Sequence, residues 1–142
     1  MTDEEIKLMI QKHEGYRDRV YIDSVGVPTV GFGHALHVGS KISHKLAELL
    51  FEQDFHGVLQ DYEILIKNNR ISVDGVRRAV LIDMLFNMGL IKLSKFKKML
   101  RAIREKRYND AAWHMLDSKY ARQVGYRAKK LAKMLKTGEV DV

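Results

Sequence analysis

The spacing of apolar residues changes between residues 3–13 and residues 18–34, and this change constrains the fold most. In the first segment apolar residues recur at three- and four-residue intervals, which predicts an amphipathic helix capped by Thr2 or Asp3. The recurring residues are Ile6, Met9 and Ile10. In the second segment apolar and polar residues alternate, which predicts short, half-buried strands. The sequence therefore predicts an α+β fold with its strands near the N-terminus.

A turn segment divides the alternating stretch. Residues 24–28, Ser-Val-Gly-Val-Pro, contain the only proline of the chain, so we expect a small hairpin. Asp23 and Thr29 flank this turn on opposite strands and are expected to lie close together. Glu14 precedes Gly15, a natural helix stop, and could line the same cleft as the other two side chains.

The rest of the chain has a helical period. A helix of about 24 residues over 43–66 would be about 36 Å long, more than a small lobe needs, and is expected to connect two lobes. The next helix begins at Ser72 or Asp74, ends at Gly89 and is apolar nearly all round, so we expect it at the centre of a bundle. Shorter helices are predicted at 93–106, 109–117 and 125–136, with Phe96, Leu100, Ile103, Trp113, Leu116, Leu131 and Met134 in the core.

These elements predict one domain over residues 1–142 with three parts. A small N-terminal lobe covers about 12–55, the connecting helix about 43–66, and a helical C-terminal lobe about 67–142 together with helix 3–13. The length is sufficient for a hydrophobic core without disulfides, and the chain has no cysteine.

Charge is divided unequally along the chain. Residues 1–65 carry six Lys/Arg and 11 Asp/Glu, whereas residues 66–142 carry 19 Lys/Arg and seven Asp/Glu. A basic half suits a polyanion such as nucleic acid, anionic lipid or an acidic cell-wall polymer, or is simply a solvated lysine-rich surface. No recognisable nucleic-acid module is present, so we expect no nucleic-acid partner.

Other classes of site have weak support. His34 and His37 form an H-x-x-H without a regular helix around them, so we expect no metal and no cofactor. The P-loop pattern is absent. No run of 18 apolar residues occurs, and the acidic N-terminus does not resemble a secretory signal, so we expect no membrane insertion and a cytoplasmic origin.

Glu14, Asp23 and Thr29 are of the residue types that glycoside hydrolysis needs. Two carboxyl groups must face each other across the scissile bond, one protonating the leaving oxygen and the other activating water or attacking directly. A helix end and a neighbouring hairpin could hold Glu14 and Asp23 at such a separation, and Thr29 could hydrogen-bond the water.

The pattern of Glu14-Gly15, Asp23 and Thr29, followed by the Gly-Phe-Gly-His sequence of residues 31–34, resembles the phage-type lysozymes of glycoside hydrolase family 24. The segment Arg127-Ala128-Lys129-Lys130 near the C-terminus also resembles this family. The resemblance implies a lysozyme-like fold with Glu14 as general acid, Asp23 positioning or activating the attacking water with inversion, and Thr29 holding that water.

The resemblance also implies supporting residues. Arg127 would approach Glu14 from the C-terminal lobe, Gly33 would support the site, and His34 would form an ion pair with Asp54. The segment 34–46 is shorter than in better-known members of the family, so we expect a minimal N-terminal lobe and a shallower substrate groove on that side.

The function implied is an endolysin, a muramidase that hydrolyses the β-1,4 bond between N-acetylmuramic acid and N-acetylglucosamine in peptidoglycan for host cell lysis. It would act as a monomer, remain in the host cytoplasm until a partner pore (a holin) releases it, and then act on the cell wall. The alternatives are a non-catalytic cationic protein that binds cell wall or membrane, a nucleic-acid binder, and a lytic transglycosylase, which uses one glutamate and would leave Asp23 and Thr29 idle.

Overall fold

A computed structural model describes residues 1–73 and 75–140. The described chain is α+β: three short strands lie near the N-terminus and helices make up most of the remainder. Asp74, one of the two predicted helix starts, lies outside the described residues. In chain order the elements are α1 (Asp3–Glu14), β1 (Arg17–Ile22), β2 (Pro28–Gly31), β3 (His34–Ala35), α2 (His44–Asn69), α3 (Gly75–Met88), α4 (Leu90–Ser94), α5 (Lys97–Arg104), α6 (Tyr108–Leu116), α7 (Lys119–Val124) and α8 (Tyr126–Thr137).

The chain divides into two compact units. The first comprises Met1–Leu46 and the second begins at Ala47. The first unit ends at Leu46, whereas the sequence placed the end of the N-terminal lobe near residue 55. It also includes α1, which the sequence grouped with the C-terminal lobe; the lobe on which this helix packs stays a prediction.

Helix α1 begins and ends as its sequence predicts. Thr2 is the N-cap: its hydroxyl accepts from the Glu5 backbone N–H at 3.2 Å, and the Glu5 carboxylate accepts from the Thr2 N–H at 2.8 Å. Gly15 terminates the helix at φ 73° and donates its N–H to Gln11 O at 2.9 Å. Glu14 is therefore the last residue of a helix that is defined at both ends.

The sheet has the antiparallel order β1-β2-β3, so β2 is its central strand. Thr29 on β2 pairs with Tyr21 on one side and with Ala35 on the other. The sequence predicted the hairpin of β1 and β2 but not β3, which has only two residues and no visible alternation.

The prediction that both strands are half buried is wrong for β1. Val20 and Ile22 are 58% and 64% exposed, because β1 is an edge strand whose pairing with β2 is irregular between Arg17 and Tyr21. Of the described residues in this unit only Thr29 is buried, since it lies on the central strand. A unit this small encloses little more than one side chain.

The second unit has a continuous hydrophobic core, to which α3 contributes one buried face. The expected central position of α3 is not observed: α6 packs against α5, α7 and α8, whereas α3 packs against α4 and α8 and has exposed residues such as Phe86. The buried residues of α3 are Val80, Leu81, Ile82, Met84 and Leu85. Helix α2 contributes from Phe55 onward, with Val58, Tyr62 and Leu65 buried. Leu46, Leu49 and Leu50, on the first turns of α2, are exposed. Helix α8 packs on α3 and α6.

The C-terminal helices differ in detail from the prediction. The expected helix 93–106 is two helices, α4 and α5, and α7 was missed because six residues give too few turns for a periodic signal. Trp113 and Leu116 were expected in the core, but they are 61% and 45% exposed. Helix α6 buries the opposite face, formed by Ala111, Ala112 and Met115, where the small alanines allow a close approach of the neighbouring helix. None of the helices in the described ranges has the length and hydropathy needed to cross a membrane.

Candidate active site

Glu14 lies against the turn between β2 and β3. A Cβ atom placed on Gly33 would be 2.6 Å from Glu14 Oε2 and 2.9 Å from its Cδ, so only glycine leaves room for this carboxylate. Gly33 also has φ +75°, a conformation that other residues rarely adopt. The two glycines that flank Phe32 therefore allow the turn to form, and the missing Cβ of Gly33 leaves the space that the Glu14 carboxylate occupies.

An aromatic contact holds the same turn. The rings of Tyr16 and Phe32 lie 5.1 Å apart at an angle of 42°, joining the segment after α1 to the tip of the β2–β3 turn. Since Glu14 lies two residues before Tyr16, this contact keeps the end of α1 and Gly33 in register. Glu14 itself is exposed, so its carboxyl group is accessible to a ligand.

Asp23 closes the turn between β1 and β2. Its Oδ1 accepts from the backbone N–H groups of Val25 and Val27 at 2.9 and 2.8 Å. Its own N–H donates to Val27 O at 3.0 Å, and its carbonyl accepts from the Gly26 N–H at 3.1 Å. Within the described residues Oδ2 accepts no hydrogen bond. One carboxylate oxygen thus fixes the turn, and the other remains available to an external donor.

Thr29 is connected to Asp23 through Val27. The Thr29 hydroxyl donates to Val27 O at 2.9 Å, the same carbonyl that accepts from the Asp23 N–H. Thr29 is only 3% exposed. Because the Thr29 hydroxyl donates its proton to Val27 O, its oxygen can only accept further hydrogen bonds. The expectation that Asp23 and Thr29 lie close together is confirmed.

Sequence reasoning missed that Val27 joins Asp23 to Thr29, since the hydrogen bonds use only its backbone. Only its peptide groups are used, and these are the same for any residue except proline. The residue type at position 27 therefore carries no signal, and only the turn geometry identifies it.

Residues 11–136 match the model of the phage lysozyme family. The chain belongs to this family. Membership assigns the chain to the glycoside hydrolases in general and confirms the resemblance found in residues 13–34.

Curated relatives in the phage lysozyme family extend over nearly the whole chain. Probable T4-type lysozymes 1 and 2 of Dictyostelium discoideum are 28% and 29% identical to it, covering 96% and 94% of both chains. The pre-baseplate central spike protein Gp5 of Enterobacteria phage T4 is 27% identical over 94% of this chain but only 28% of its own length. The alignment to the first relative is 163 positions long although the chain has 142 residues, so it contains gaps in this chain.

Arg127, the arginine that the family resemblance places near Glu14, lies at the start of α8 in the second unit. Its Nε and Nη2 contact Asp83 Oδ1 at 2.8 and 2.7 Å, and Nη2 also donates to Asp83 O at 3.4 Å. The pair joins α8 to α3 and is 42% and 39% exposed, so it contributes only about 0–1 kcal/mol to stability. A role of Arg127 toward Glu14 stays a prediction.

Asp83 was not singled out from the sequence, although a signal was present. It is an isolated acid within the apolar run of residues 79–88, and a charge in such a run generally has a partner. The sequence does not show which of its many cations that partner is.

His34 lies on β3 and is exposed, whereas Asp54 lies on α2 in the second unit. The ion pair that the family resemblance implies between them stays a prediction. Across residues 1–73 and 75–140, no group of three or more acidic or histidine side chains is placed to hold a metal ion.

Proposed function

We propose that this protein is an inverting muramidase that cleaves the β-1,4 bond between N-acetylmuramic acid and N-acetylglucosamine in peptidoglycan. One observation carries the proposal: Asp23 and Thr29 share the Val27 carbonyl, and in the same small unit the Glu14 carboxylate lies against Gly33. The family match and the names of the Dictyostelium discoideum relatives support the same reaction.

Glu14 is the general acid of the proposed reaction. Its carboxyl group is exposed at the end of α1 and can reach the glycosidic oxygen of a bound glycan chain. In this step the O–H bond of the carboxyl group breaks and the proton goes to the leaving sugar oxygen as the bond to the anomeric carbon lengthens.

Asp23 and Thr29 hold the water. A water molecule that donates one proton to Thr29 Oγ1 and the other to Asp23 Oδ2 keeps a lone pair free for the anomeric carbon. Oδ2 is the carboxylate oxygen that the turn does not use, and Oγ1 can only accept, because its proton is bound by Val27 O. Attack from the face opposite the leaving group forms a bond between the water oxygen and the anomeric carbon, transfers one water proton to Asp23 Oδ2 and inverts the anomeric configuration. Such enzymes need about 6.5–9.5 Å between the two carboxyl groups.

Isolated peptidoglycan and the variant Glu14→Gln test this mechanism. Glu63→Gln is the matched control, since it makes the same chemical change at an exposed residue of α2. We expect wild type and Glu63→Gln to release muropeptides with reducing ends of inverted configuration, detected by mass spectrometry and by NMR immediately after cleavage. Glu14→Gln should be about 10²–10⁴-fold slower. Anhydro products would overturn the proposal in favour of a lytic transglycosylase, and retained configuration would exclude inversion.

A non-catalytic cationic binder is the second candidate function. It is favoured by the charge of residues 66–142, which carry 19 Lys/Arg and seven Asp/Glu. Lysis of intact cells by Glu14→Gln at the wild-type rate would establish this function, whereas loss of lysis would exclude it.

For the cellular role we propose an endolysin that stays in the host cytoplasm as a monomer until a pore-forming partner opens the inner membrane. Expression in a bacterial host should then leave cells intact until the membrane is permeabilised, after which turbidity should fall rapidly. Spontaneous lysis without permeabilisation would contradict the need for such a partner. Sedimentation of the purified protein at 16.4 kDa would agree with a monomer.

A further inference from the structure

The second unit contains an open groove of about 870 Å³ bounded by residues between Asn87 and Val124. It lies among α3 to α7 and includes none of the residues assigned to catalysis. Its most conspicuous members are five exposed lysines. These are Lys92, Lys95, Lys97, Lys98 and Lys119.

The charge of the groove is predominantly positive. Asp117 is the only acid among its described lining residues, against the five lysines. No hydrogen bond or ion pair of the described residues engages any of the five ammonium groups, so all are available to a ligand. Like charges held around one groove repel one another and attract anions, and a polyanion relieves this repulsion best.

The absence of arginine from the described lining of the groove limits the kind of anion. Arginine provides bidentate geometry and stacks on bases, so it is usual where individual phosphates or nucleotides are recognised. Lysine acts as a mobile point charge. Five lysines therefore favour a flexible polymer that is bound by its charge density rather than in a fixed register.

Trp113 adds an aromatic surface to the groove. Its side chain is 61% exposed, and His114 meets its ring edge-on at 5.3 Å. The other large aromatic groups of the groove are unavailable, because Phe96 packs edge-on against buried Tyr120 at 6.2 Å. Single-stranded nucleic acids are generally bound on several successive aromatic side chains. A single exposed indole instead suits the apolar face of one sugar ring or a polyol segment.

We propose that this groove binds a phosphodiester-linked glycopolymer of the bacterial cell envelope and so holds the enzyme on its substrate. The lysines bind the phosphates and Trp113 packs on the polyol or sugar between them. The choice of a cell-envelope polymer rests on the proposed muramidase function, whereas the binding itself does not require catalysis.

Trp113 makes the test direct, because it is the only tryptophan in the chain. The probe is poly(glycerol phosphate), which has no glycosidic bond, and it is titrated into the Glu14→Gln variant so that binding is measured apart from catalysis. We expect the indole emission to shift to shorter wavelength and its quenching by acrylamide to decrease on binding. The logarithm of the affinity should fall linearly with the logarithm of the salt concentration.

A charge-matched pair of triple variants locates the site. Lys92, Lys95 and Lys98 are changed to Gln in one, and the exposed α8 residues Lys129, Lys130 and Lys136 are changed to Gln in the other. We expect about a 100-fold loss of affinity in the first, since one lysine near an anionic surface contributes about fivefold, and less than about tenfold in the second. Equal losses in both would overturn the proposal, because net charge alone would then explain binding.

Three competing polyanions separate the sources of negative charge. Polyglutamate, a single-stranded DNA oligonucleotide and anionic lipid vesicles are each titrated at the same charge concentration. Tighter binding of any of them than of poly(glycerol phosphate) would overturn the proposal in favour of a carboxylate, nucleic-acid or membrane ligand. Binding of poly(glycerol phosphate) without indole protection would place the ligand outside the groove and overturn it as well.

The outcomes for the groove and for the active site are independent. If Glu14→Gln binds poly(glycerol phosphate) through the groove but wild type releases no muropeptides, the groove is established and the muramidase proposal fails. If wild type hydrolyses peptidoglycan while the variant with Lys92, Lys95 and Lys98 changed to Gln retains full affinity for the polymer, the muramidase proposal stands and the groove proposal fails.

Discussion

Asp23 and Thr29 share one hydrogen-bond acceptor, the carbonyl oxygen of Val27. The Asp23 N–H reaches it at 3.0 Å and the Thr29 hydroxyl at 2.9 Å, while the Val27 N–H returns to Asp23 Oδ1 at 2.8 Å. The backbone of a single residue, Val27, therefore joins a carboxylate and a hydroxyl that lie six residues apart. The turn that looks like a simple hairpin connection determines the geometry of half of the candidate site.

Asp23 Oδ1 accepts the hydrogen bonds of the turn, whereas Oδ2 is proposed to bind the attacking water. Two substitutions of Asp23 distinguish these two roles. Asp23→Asn retains an Oδ1 acceptor for both N–H groups, so we expect near-wild-type stability but a loss of activity of about 10²–10⁴-fold. Asp23→Ala loses both hydrogen bonds, which should lower the free energy of unfolding by about 1–3 kcal/mol as well. Denaturant unfolding and peptidoglycan hydrolysis are measured on the same preparations. Equal destabilisation by Asn and Ala would show that Oδ1 does not hold the turn.

Gly33→Ala should displace the Glu14 carboxylate, because the new Cβ would lie 2.6 Å from Oε2. A misplaced catalytic group can cost about 100-fold in rate, and that loss is expected in kcat/KM for peptidoglycan hydrolysis.

Gly39→Ala is the control for Gly33→Ala. Gly39 has φ +90°, and a Cβ added there would have no atom within 4 Å. Gly39→Ala therefore introduces the same kind of backbone strain as Gly33→Ala but displaces no side chain. Both variants should lose about 1–2 kcal/mol of stability. Equal activities of the two would refute the view that Gly33 sets the position of Glu14.

Arg77 joins three helices of the second unit and should be important for its stability. Its Nε donates to Leu135 O at 2.8 Å and its Nη2 to Lys136 O at 3.1 Å, at the C-terminal end of α8 where cations are favoured. Its guanidinium also lies 3.6 Å from the Tyr108 ring centroid. We expect Arg77→Ala to lower the free energy of unfolding by about 2–3 kcal/mol, since hydrogen bonds to charged groups contribute about 1.5–3 kcal/mol.

Arg104→Ala provides the comparison for Arg77, because the described residues give the Arg104 side chain no partner. It should change stability by less than about 0.5 kcal/mol. Similar melting temperatures for Arg77→Ala and Arg104→Ala would contradict the view that the contacts of Arg77 with α6 and α8 stabilise the second unit.

Tyr120 has a buried hydroxyl without a hydrogen-bond partner among the described residues. Tyr120→Phe should therefore raise the free energy of unfolding by about 1 kcal/mol. Tyr126→Phe, at a residue that is 77% exposed, should leave it within about 0.5 kcal/mol. A destabilised Tyr120→Phe would show that the hydroxyl does make a favourable interaction.

The same tyrosine predicts a pH dependence. Burial raises the pKa of Tyr120, so the folded protein favours the neutral phenol. This contribution to stability is complete below the unfolded-state pKa of about 10 and is lost as the pH rises through the higher folded pKa. Denaturant unfolding between about pH 9 and 11 should show a steeper decline for wild type than for Tyr120→Phe. Parallel curves would exclude Tyr120 as the source.

The helices of the second unit were largely predictable because they are long and periodic. The apolar run that became α3 identified a helix with five buried residues, and Gly89 ended it as predicted. The exposed Trp113 could not be foreseen, since hydrophobicity does not show which face of a short helix meets its neighbours. That face was decided by Ala111 and Ala112, whose small side chains permit close helix packing.

Local chemistry in the sequence determined the pieces of the candidate site. A capped helix ending at Glu14, a proline-containing turn between Asp23 and Thr29, and glycines where the chain must take positive φ are all consequences of short-range sterics and hydrogen bonding. The tertiary structure alone decided that Gly33 makes room for Glu14, that Val27 joins Asp23 to Thr29, that Arg127 pairs with Asp83, and that five lysines surround one groove. These relationships join residues that carry no mutual signal along the chain, because they depend on where packing and main-chain pairing bring separate segments together.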